Sequence, residues 1–597
     1  MKQELRNLIM LFIFLLSSSM TIGQTKIVVL SDPHVMAPEL LVNEGSAWTD
    51  FLSADRKLVD YSQTLFDLMI SKIKDDIQPD MVLITGDLTK DGEALSHQYV
   101  ADKLEELTDV GIKALVIPGN HDWGTSNAKY YNGASTSDAA TLIKSQLATL
   151  YADYGLGSSD REETTLTYAC EPIAGLVVIG IDSGADGQLS STTLNWVCNK
   201  AKAAYNDGKQ VIAMMHHPLI PHFTGADSFV EAVSIANYEN VRNALADAGV
   251  RVIFTGHFHT SDIAKDFNLD LSKTIYDVNT GSLISYPCDY RVATLSADMK
   301  TMNITTSSIS EITSGDGFAT IAKTRLAASV SALVTSKGEP FASMSAQLAG
   351  MFIYHAEGDE HSSPEAQAFL TTYGSTLPIA IQPLAYSVLD DYSNYGDVNR
   401  QDRTADRNLN ITLPTLTESI TLAADGWSTY CSEQAIDLSK TAGVTGYIVS
   451  AIGASSVSLE TVTKVPANTG FIINGTGSQA YTLHATLSAT DDVTANKLSG
   501  TLVATSAPAN SFALSTQSGV TGFYPITTGL SIPAHKAYLV TSTDARILMM
   551  DGVPTAIDAP TSAFSYQPSA FYTLQGVQVS RPTKGVYINN GRLVIIK

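Results

Sequence analysis

The sequence predicts a multidomain chain with an α/β domain, then a small helical appendage, then an all-β module. Between residues 25 and 305, short apolar runs that resemble buried strands alternate with stretches of helical spacing, as in layered α/β domains. Beyond residue 411 the chain is rich in Thr, Ser, Val and Gly, and turn signals separate its short apolar runs, which favours a β-sandwich. With 597 residues, the chain is also too long for a single core.

The predicted domain boundaries follow changes in composition along the chain. The assignments are a signal peptide at 1–23, the α/β domain at 24–305, a helical extension at 306–410, a β-sandwich-like module at 411–553, and a linker with a C-terminal segment at 554–597. The strands predicted in the α/β domain are Lys26–Leu30, Met81–Ile84, Ala114–Ile117, Val177–Ile179, Val211–Met214 and Val252–Phe254. The helices predicted in the extension are Phe318–Leu333, Ser343–Tyr354, Pro364–Tyr373 and Ala385–Tyr392.

The first residues predict export. Lys2 and Arg6 precede an unbroken apolar run from Leu8 to Leu16, and small residues follow, which is the organisation of a secretory signal peptide. That run is too short to cross a bilayer, and no later stretch is apolar enough, so no membrane span is expected. We therefore expect the protein in the periplasm, at the cell surface or outside the cell.

Composition limits the partners of the chain. The net charge is −23, from 37 basic and 60 acidic residues, so nucleic-acid polymers, whose backbone would be repelled, are not expected as partners. Secretion permits disulfides, and the four cysteines allow three pairings, but buried free thiols are the simpler interpretation.

Five short polar motifs, each directly after an apolar run, predict a metal centre. They are Asp32-Pro33-His34, Gly86-Asp87, Gly119-Asn120-His121-Asp122, His216-His217-Pro218 and Gly256-His257-Phe258-His259. Ligands of open α/β sheets collect beyond the carboxyl ends of the strands, so these side chains should meet. A set of Asp, His and Asn donors without Cys suits two divalent ions of Mn, Fe or Zn. Five such motifs in fixed order are far more specific than one.

The residue types within the motifs predict separate roles. Asp87 is the expected bridge, because a carboxylate at a strand end can contact both ions. A water molecule acidified by the two cations would attack phosphorus in line. His121 would stabilise the developing charge or protonate the leaving oxygen, while Asp122 orients its ring. The predicted metal ligands are Asp32, His34, Asp87, Asn120, His216, His257 and His259.

From Thr25 to Asp298, all five motifs resemble those of the calcineurin-like metallophosphoesterases. The resemblance implies a β-sandwich core flanked by helices, with His121 as the catalytic histidine. It implies a first metal site of Asp32, His34, Asp87 and His259, and a second of Asp87, Asn120, His216 and His257. Protein phosphatases carry an Arg shortly after the Gly-Asp motif, which is missing here, and purple acid phosphatases place a ligand Tyr where Lys90 stands. The remaining resemblance is to bacterial cyclic-nucleotide phosphodiesterases.

This resemblance implies an exported dinuclear-metal phosphoesterase whose partner is a small phosphodiester or nucleotide. One alternative keeps the enzyme but assigns phosphomonoesters or lipid head groups as substrates. Another makes the β module a surface-binding or adhesion protein that carries a vestigial phosphoesterase domain. Asn120 and His121 are predicted to contact the substrate, and His222 either joins them or is an ordinary loop residue. Trp427 and Tyr430 are expected to pack in the β core, with glycan contact as the alternative.

The last segment of the chain has a resemblance of its own. Phe571 to Lys597 resembles C-terminal segments of secreted Bacteroidetes proteins, with a Leu-x-Gly turn, a Lys-Gly-x-Tyr strand and a basic end. In some of those proteins the segment is a sorting signal for the type IX secretion route. The resemblance therefore implies export to the cell surface.

Overall fold

The computed structural model describes residues 23–223, 233–339, 341–377, 379, 382–389, 405–543 and 545–551, and, in the tail, 571–572, 578–579, 583–589 and 592–596. These residues form two compact units. The first contains the described residues up to Ile420 together with 434–442 and 481–490, and the second contains 421–433, 443–480 and the described residues after 490. The predicted signal peptide up to residue 22, residues 390–404 of the predicted helical extension and residues 554–570 of the predicted linker lie outside the described residues.

Two six-stranded sheets form the core of the first unit. In spatial order, the first consists of Asn408–Thr412, Thr301–Ser308, Asp289–Leu295, Thr25–Leu30, Met81–Ile84 and Lys113–Val116. The second consists of Asp262–Phe267, Thr274–Asn279, Val252–Thr255, Gln210–Met215, Leu176–Ile181 and Tyr168–Ile173. Both sheets have parallel strands at their centres, and these include all the strands that the sequence predicted.

The two sheets share one apolar core. On the strand Gln210–Met215, Ile212 and Met214 enter the cluster that also holds the first sheet, whereas Ala213 and Met215 enter a second cluster on the opposite face. Successive side chains of a strand point to opposite faces, so both faces of this strand are buried. This double burial explains why these strands appear in the sequence as unbroken apolar runs.

Helices cover the outer faces of the sheets. Leu65 and Leu104 are buried in the core cluster of the first sheet, and Val197 and Leu245 in the second cluster. These residues belong to the helices Ser62–Lys72, Ala94–Thr108, Ser191–Asn206 and Tyr238–Asp247. The remaining elements of the α/β domain are the helices Ser46–Ala54 and Lys144–Leu150 and a small sheet of Leu41–Asn43, Lys129–Asn132 and Ser135–Asp138.

Four helices follow the last strand of the α/β domain. They are Phe318–Ser336, Ser345–Glu357, Pro364–Tyr373 and Gln382–Leu389, and each overlaps a predicted helix. Val334, Leu348 and Met351 from these helices share a buried cluster with Phe223 of the α/β domain. The helical extension therefore packs directly on the α/β domain.

The strand Asn408–Thr412 then returns to the first sheet and pairs with Thr301–Ser308. The boundary predicted at residue 410 falls inside this strand, and the first unit continues to Ile420. The segment Asn-Leu-Asn-Ile-Thr alternates polar and apolar residues in the same way as the β module, so its pattern could not assign it to one domain.

The second unit is built on a nine-stranded sheet rather than the predicted sandwich. In spatial order its strands are Trp427–Tyr430, Phe471–Asn474, Thr445–Ile452, Ser456–Val462, Leu548–Asp551, Val520–Pro525, Ser511–Gln517, Lys536–Val540 and Leu498–Thr501. The sheet nearly closes on itself, since Ala537 N–H donates to Thr429 Oγ1 at 3.1 Å. Sandwiches and curled sheets share the same alternating strand pattern, so closure was not visible in the sequence.

Trp427 and Tyr430 of the β module pack against other aromatic residues in its core. The Trp427 ring lies 5.7 Å from that of Tyr447, and Tyr430 is buried against Phe471. In the tail, the strands Phe571–Tyr572, Gln578–Val579, Gly585–Asn589 and Arg592–Ile596 form a separate sheet. No disulfide joins the four cysteines, all of which lie among the described residues. The helices found in the described parts of the chain are too short or too polar to cross a membrane.

Candidate metal centre

The five motifs follow the carboxyl ends of central strands, where the two sheets bring them together. Asp32 and His34 follow Thr25–Leu30, and Asp87 follows Met81–Ile84. The other motifs follow in the same way the strands Lys113–Val116, Gln210–Met215 and Val252–Thr255. The seven predicted ligands therefore reach one place from two sheets, as expected for open α/β folds.

The backbone at this place is held in a rare conformation. Five of the predicted ligands have positive φ angles: Asp32 at 48°, His34 at 39°, Asp87 at 49°, His257 at 69° and His259 at 64°. Non-glycine residues seldom adopt this left-handed region, which costs about 1–3 kcal/mol per residue and is concentrated at functional sites. The surrounding sheets hold these residues in place, and the tight turns direct alternate side chains of each motif to one side.

The glycines of the motifs permit close packing between neighbouring loops. A Cβ atom on Gly119 would lie 2.2 Å from Asp87 Oδ1, and one on Gly256 would lie 2.6 Å from Asp32 Oδ2. Any larger residue would displace these carboxylates from the site. The glycines are therefore needed for ligand placement rather than for turn formation alone.

Asp32, His34 and His259 form the first ligand group. Asp32 Oδ1 lies 3.8 Å from His34 Nε2 and 3.3 Å from His259 Nε2. The two imidazole nitrogens are 3.2 Å apart. All three residues are buried, so the three donor atoms converge in a region of low dielectric constant.

Asp87, His216 and His257 form the second group, and Asn120 adjoins it. His216 Nε2 lies 3.3 Å from Asp87 Oδ2, 3.2 Å from His257 Nδ1 and 3.0 Å from Asn120 Oδ1. The other nitrogen of His216, Nδ1, lies 2.9 Å from the Thr85 carbonyl oxygen. As a donor to this carbonyl, Nδ1 leaves Nε2 as the ligating nitrogen.

Asp87 lies between the two groups. Its Oδ2 atom is 3.6 Å from His34 Nε2 and 3.3 Å from His216 Nε2, so one oxygen adjoins a histidine of each group. Its Oδ1 atom accepts the His121 backbone N–H at 2.8 Å. This position matches that predicted for a bridging carboxylate.

The donors present fit two divalent cations. Asp32 Oδ1 is buried and accepts no hydrogen bond from the described residues, an arrangement that is costly unless a cation satisfies it. Burial lowers the pKa values of His34 and His257 well below the usual range, so both rings are neutral and can offer a lone pair. Although burial opposes it, the Asp87 carboxylate raises the pKa of His216 to about 9, and a divalent cation can replace the proton held there.

His121 is placed beside the ligands but is oriented by a residue that the sequence did not indicate. Its Nδ1 atom lies 2.9 Å from the Lys90 carbonyl oxygen and 3.0 Å from Asp91 Oδ1. Burial opposes protonation of the ring, but the carboxylates of Asp87 and Asp91 raise the pKa of His121. The ring is therefore held with Nδ1 engaged and Nε2 left for chemistry.

The predicted contact between Asp122 and the His121 ring is wrong. Asp122 instead accepts the backbone N–H groups of Gly119, Leu88 and Thr89 at 2.8, 3.1 and 2.9 Å. It thereby joins the Gly86-Asp87 loop to the Gly119-Asn120-His121 loop. Adjacent residues on a tight turn point in different directions, and for this reason proximity in sequence suggested the wrong partner.

Replacing Asp91 by alanine should lower kcat by about 10- to 100-fold, since the His121 ring loses its carboxylate partner. The metal content and KM should change little, because Asp91 belongs to neither ligand group. Steady-state kinetics with metal analysis would test this prediction. Asp91→Asn is the matched control and should recover part of the loss, as its amide oxygen can still accept from Nδ1. Equal losses of metal and activity in Asp91→Ala would show a purely structural role.

Two cationic residues near the centre were also missed. Arg56 lines a cavity that His259 also borders. Lys57 is nearly buried, and its Nζ atom lies 3.6 Å from Asp55 Oδ2. Burial is the largest cause of the lowered pKa of His34, and the positive charge of Lys57 is the second. They lie in the loop after the helix Ser46–Ala54, where neither spacing nor motif singles them out.

Two further histidines have different surroundings. His217 Nδ1 lies 2.8 Å from Ser183 Oγ, and its ring lies 4.4 Å from the ring of the predicted ligand His257. His222, predicted as one option to contact the substrate, is buried instead, with its Nδ1 atom 2.8 Å from Asp262 Oδ2. It belongs to neither of the two ligand groups.

Comparisons with known proteins agree with this geometry. Residues 25–261 match the family model described as "Calcineurin-like phosphoesterase". The chain is 24% identical over 232 residues to a cAMP/cGMP dual specificity phosphodiesterase of Mycobacterium tuberculosis, covering 38% of this chain and 63% of that protein. It is 26% identical over 193 residues to a probable cyclic nucleotide phosphodiesterase of a Synechococcus species, covering 31% of this chain and 60% of that protein.

A solved structure of a dimetal phosphatase from Danio rerio is also similar, at 13% identity and a TM-score of 0.34, with 48% of this chain and 96% of that chain covered. The match to the curated relatives spans less than two thirds of their own lengths. The family match covers all five motifs and ends at residue 261, before the last strands of the two sheets. Residues 25–261 therefore match the calcineurin-like phosphoesterase family, as the five motifs indicated.

Proposed function

We propose that this protein is an exported dinuclear-metal phosphoesterase that hydrolyses phosphodiester or nucleotide substrates. The observation that carries the proposal is the position of Asp87 Oδ2 between His34 and His216, which supports two ions that share one carboxylate. Bound there, two divalent cations would supply Lewis acidity for the phosphoryl oxygens and acidify the attacking water. The printed names of the curated relatives support phosphodiesters as the substrate class.

The side chains next to the metal ligands have separate roles in binding the substrate and moving a proton. Asn120 and His121 adjoin the ligands and contact the substrate phosphate. His121, held at Nδ1 by Asp91 and the Lys90 carbonyl, donates a proton from Nε2 to the leaving oxygen. Arg56 and Lys57 add positive charge that favours an anionic ester.

A cavity next to the metal centre favours an ester that carries an organic group. It has a volume of about 80 Å³ and is bordered by His259. The helical extension supplies much of its wall, with Leu326, Val330 and Phe352, and Phe258 of the metal-binding loop supplies another part. Apolar walls stabilise an aromatic ring or a short alkyl chain by removing it from water. The same cavity would accept part of a lipid, so the head-group alternative is tested together with the main proposal.

The proposal is tested by stripping the full chain of metal, reloading it with Mn²⁺, and comparing a bis-aryl phosphate, an aryl monophosphate and cyclic AMP. Metal-dependent cleavage of the diesters, with slower cleavage of the monoester, is the expected result. A preference for the monoester would make the protein a phosphatase instead. If the protein binds two metals but cleaves none of the three compounds, a lipid phosphodiester becomes the expected substrate. Short-chain phospholipid analogues would test that substrate class.

Filling the cavity with Val330→Trp should raise KM for the bis-aryl phosphate by about 10-fold, since the displaced group loses its apolar contacts. The metal content should stay unchanged, because Val330 lies on the helix Phe318–Ser336 and not on a metal-binding loop. Steady-state kinetics on the reloaded enzyme would measure the effect. Ile321→Trp is the matched control, as Ile321 is exposed on the same helix and does not line the cavity. An unchanged KM in Val330→Trp would exclude the cavity as part of the substrate site.

Export rests on the apolar run Leu8 to Leu16 and is tested separately. Expression of the full chain in a related bacterium, followed by fractionation and N-terminal sequencing, should recover a protein cleaved between residues 19 and 24. Recovery of the uncleaved chain from the cytoplasm would overturn this part of the proposal.

A further inference from the structure

A second cluster of metal-ligating side chains lies where the helical extension meets the α/β domain. His222 follows the strand Gln210–Met215, Asp262 opens the strand Asp262–Phe267, and His355 lies on the helix Ser345–Glu357. One ligand atom from each of the three residues lies within 4.8 Å of the others. We call these three residues the His222 cluster. None of them belongs to the dinuclear centre, and no sequence motif joins them.

The polar atoms of this cluster are buried and incompletely satisfied. His222 and His355 are only 6% and 4% exposed. Both ring nitrogens of His222 and Nε2 of His355 have no hydrogen-bond partner among the described residues. Buried polar atoms without partners destabilise the fold, so their presence on both rings favours a ligand.

A carboxylate outside the cluster holds the far side of the His355 ring, and the carboxylate of Asp262 lies beside the His222 ring. His355 Nδ1 is hydrogen-bonded to Glu360 Oε1, and Glu360 is itself buried. His222 Nδ1 lies 2.8 Å from Asp262 Oδ2 without being hydrogen-bonded to it, a separation that two ligands of one ion can have. The Glu360 carboxylate on Nδ1 of His355 orients Nε2 of that ring toward a metal and makes it a better donor. Burial also lowers the pKa of His355 to about 3, which leaves that ring neutral with a lone pair to offer.

Aromatic rings surround the cluster and limit the access of water. The Phe258 ring lies 4.6 Å from that of His222 and 5.7 Å from that of His355, and the Phe223 ring lies 5.5 Å from that of His355. Phe258 stands between His257 and His259, the two ligands on the fifth motif. The His222 cluster therefore adjoins the loop that supplies both metal groups.

We propose that His222, Asp262 and His355 bind a third divalent cation, with Zn²⁺ as the best match, which joins the helical extension to the α/β domain. Two imidazoles and one carboxylate form a donor set that Zn²⁺ takes in proteins. The ion links three elements distant in sequence and supports Phe258 from behind, so it stabilises the loop of His257 and His259. This role is structural and does not depend on the substrate of the enzyme.

The test is a count of metal ions in the full chain after loading with Zn²⁺ and gel filtration. The wild-type protein should hold three equivalents by mass spectrometry of the metal, and His355→Gln and Asp262→Asn should each hold two. His361→Gln is the matched control, since His361 lies in the same segment but outside the cluster, and it should hold three. Two equivalents in the wild-type protein, or three in both cluster variants, would overturn the proposal.

Crystals of the wild-type protein keep the test decisive if a variant fails to fold. Anomalous scattering at the zinc edge should show a peak between His222, Asp262 and His355, separate from the pair at Asp87. Absence of that peak in a crystal where the pair is occupied would reject the site. Neither experiment uses catalysis, so a failure of the proposed activity would leave this result standing, and the reverse also holds.

Discussion

Asp87→Ala is expected to reduce phosphoester hydrolysis by about 10³-fold or more. Both ligand groups adjoin the Oδ2 atom of Asp87, so the substitution weakens binding of both ions. Loss of several kcal/mol of electrostatic stabilisation from the ions converts to this factor, because each 1.4 kcal/mol corresponds to tenfold in rate. The measurement is the initial rate with a bis-aryl phosphate, together with the metal content of the purified protein.

The matched control for this prediction is Asp109→Ala, which removes an exposed carboxylate at the end of the helix Ala94–Thr108. That variant should keep full activity and the wild-type metal content. Full activity in Asp87→Ala would exclude the bridging role. Normal metal content without activity would instead show that Asp87 acts on the substrate rather than on the ions.

His121→Ala is expected to lower kcat by about 10²- to 10⁴-fold while the ions stay bound. The ring is held at Nδ1 by Asp91 and the Lys90 carbonyl, which leaves Nε2 to protonate the leaving oxygen. A proton donor matters most for a poor leaving group. The loss should therefore be larger for an alkyl ester than for an aryl ester of the same phosphate, and parallel kinetics with both esters would measure the difference.

The metal content separates this role from a structural one. His121 lies near His34 and Asp87, within 4.8 Å at its ligand atom, so a role in holding an ion is the competing explanation. Loss of one ion or more from His121→Ala would favour that explanation. Equal losses for both esters, with all ions present, would point to charge stabilisation instead of proton donation.

The sequence was sufficient to predict the central strands of the α/β domain and the place where its polar motifs meet. Strands such as Gln210–Met215 are buried on both faces, so their apolar runs stand out without any alignment. The polar motifs directly after those strands must lie at the sheet edge, because the chain leaves a parallel strand only there. The order of the five motifs indicated a resemblance to the calcineurin-like phosphoesterases, and the family-model match to residues 25–261 confirms that resemblance.

Contacts between distant segments were not available from the sequence. Asp91 rather than Asp122 orients His121, because the turn at Asn120 sends neighbouring side chains in different directions. The strand Asn408–Thr412 belongs to the first sheet because it pairs at the sheet edge with Thr301–Ser308, where paired residues are 103 to 111 positions apart in the chain. In the β module, the near-closure of the sheet is seen in the hydrogen bond that the Ala537 N–H donates to Thr429 Oγ1.

The His222 cluster is the clearest case of a feature that the sequence could not predict. Each of its three residues stands alone in the sequence, with no ligand spacing around it, and only packing of the helix Ser345–Glu357 on the α/β domain brings them together. Periodicity and motifs reflect forces that act along the chain, such as burial of a strand or the exit from a sheet. The sequence alone therefore determined the α/β core and the five motifs with their candidate ligands, whereas tertiary packing decided the orientation of His121, the sheet edges and the His222 cluster.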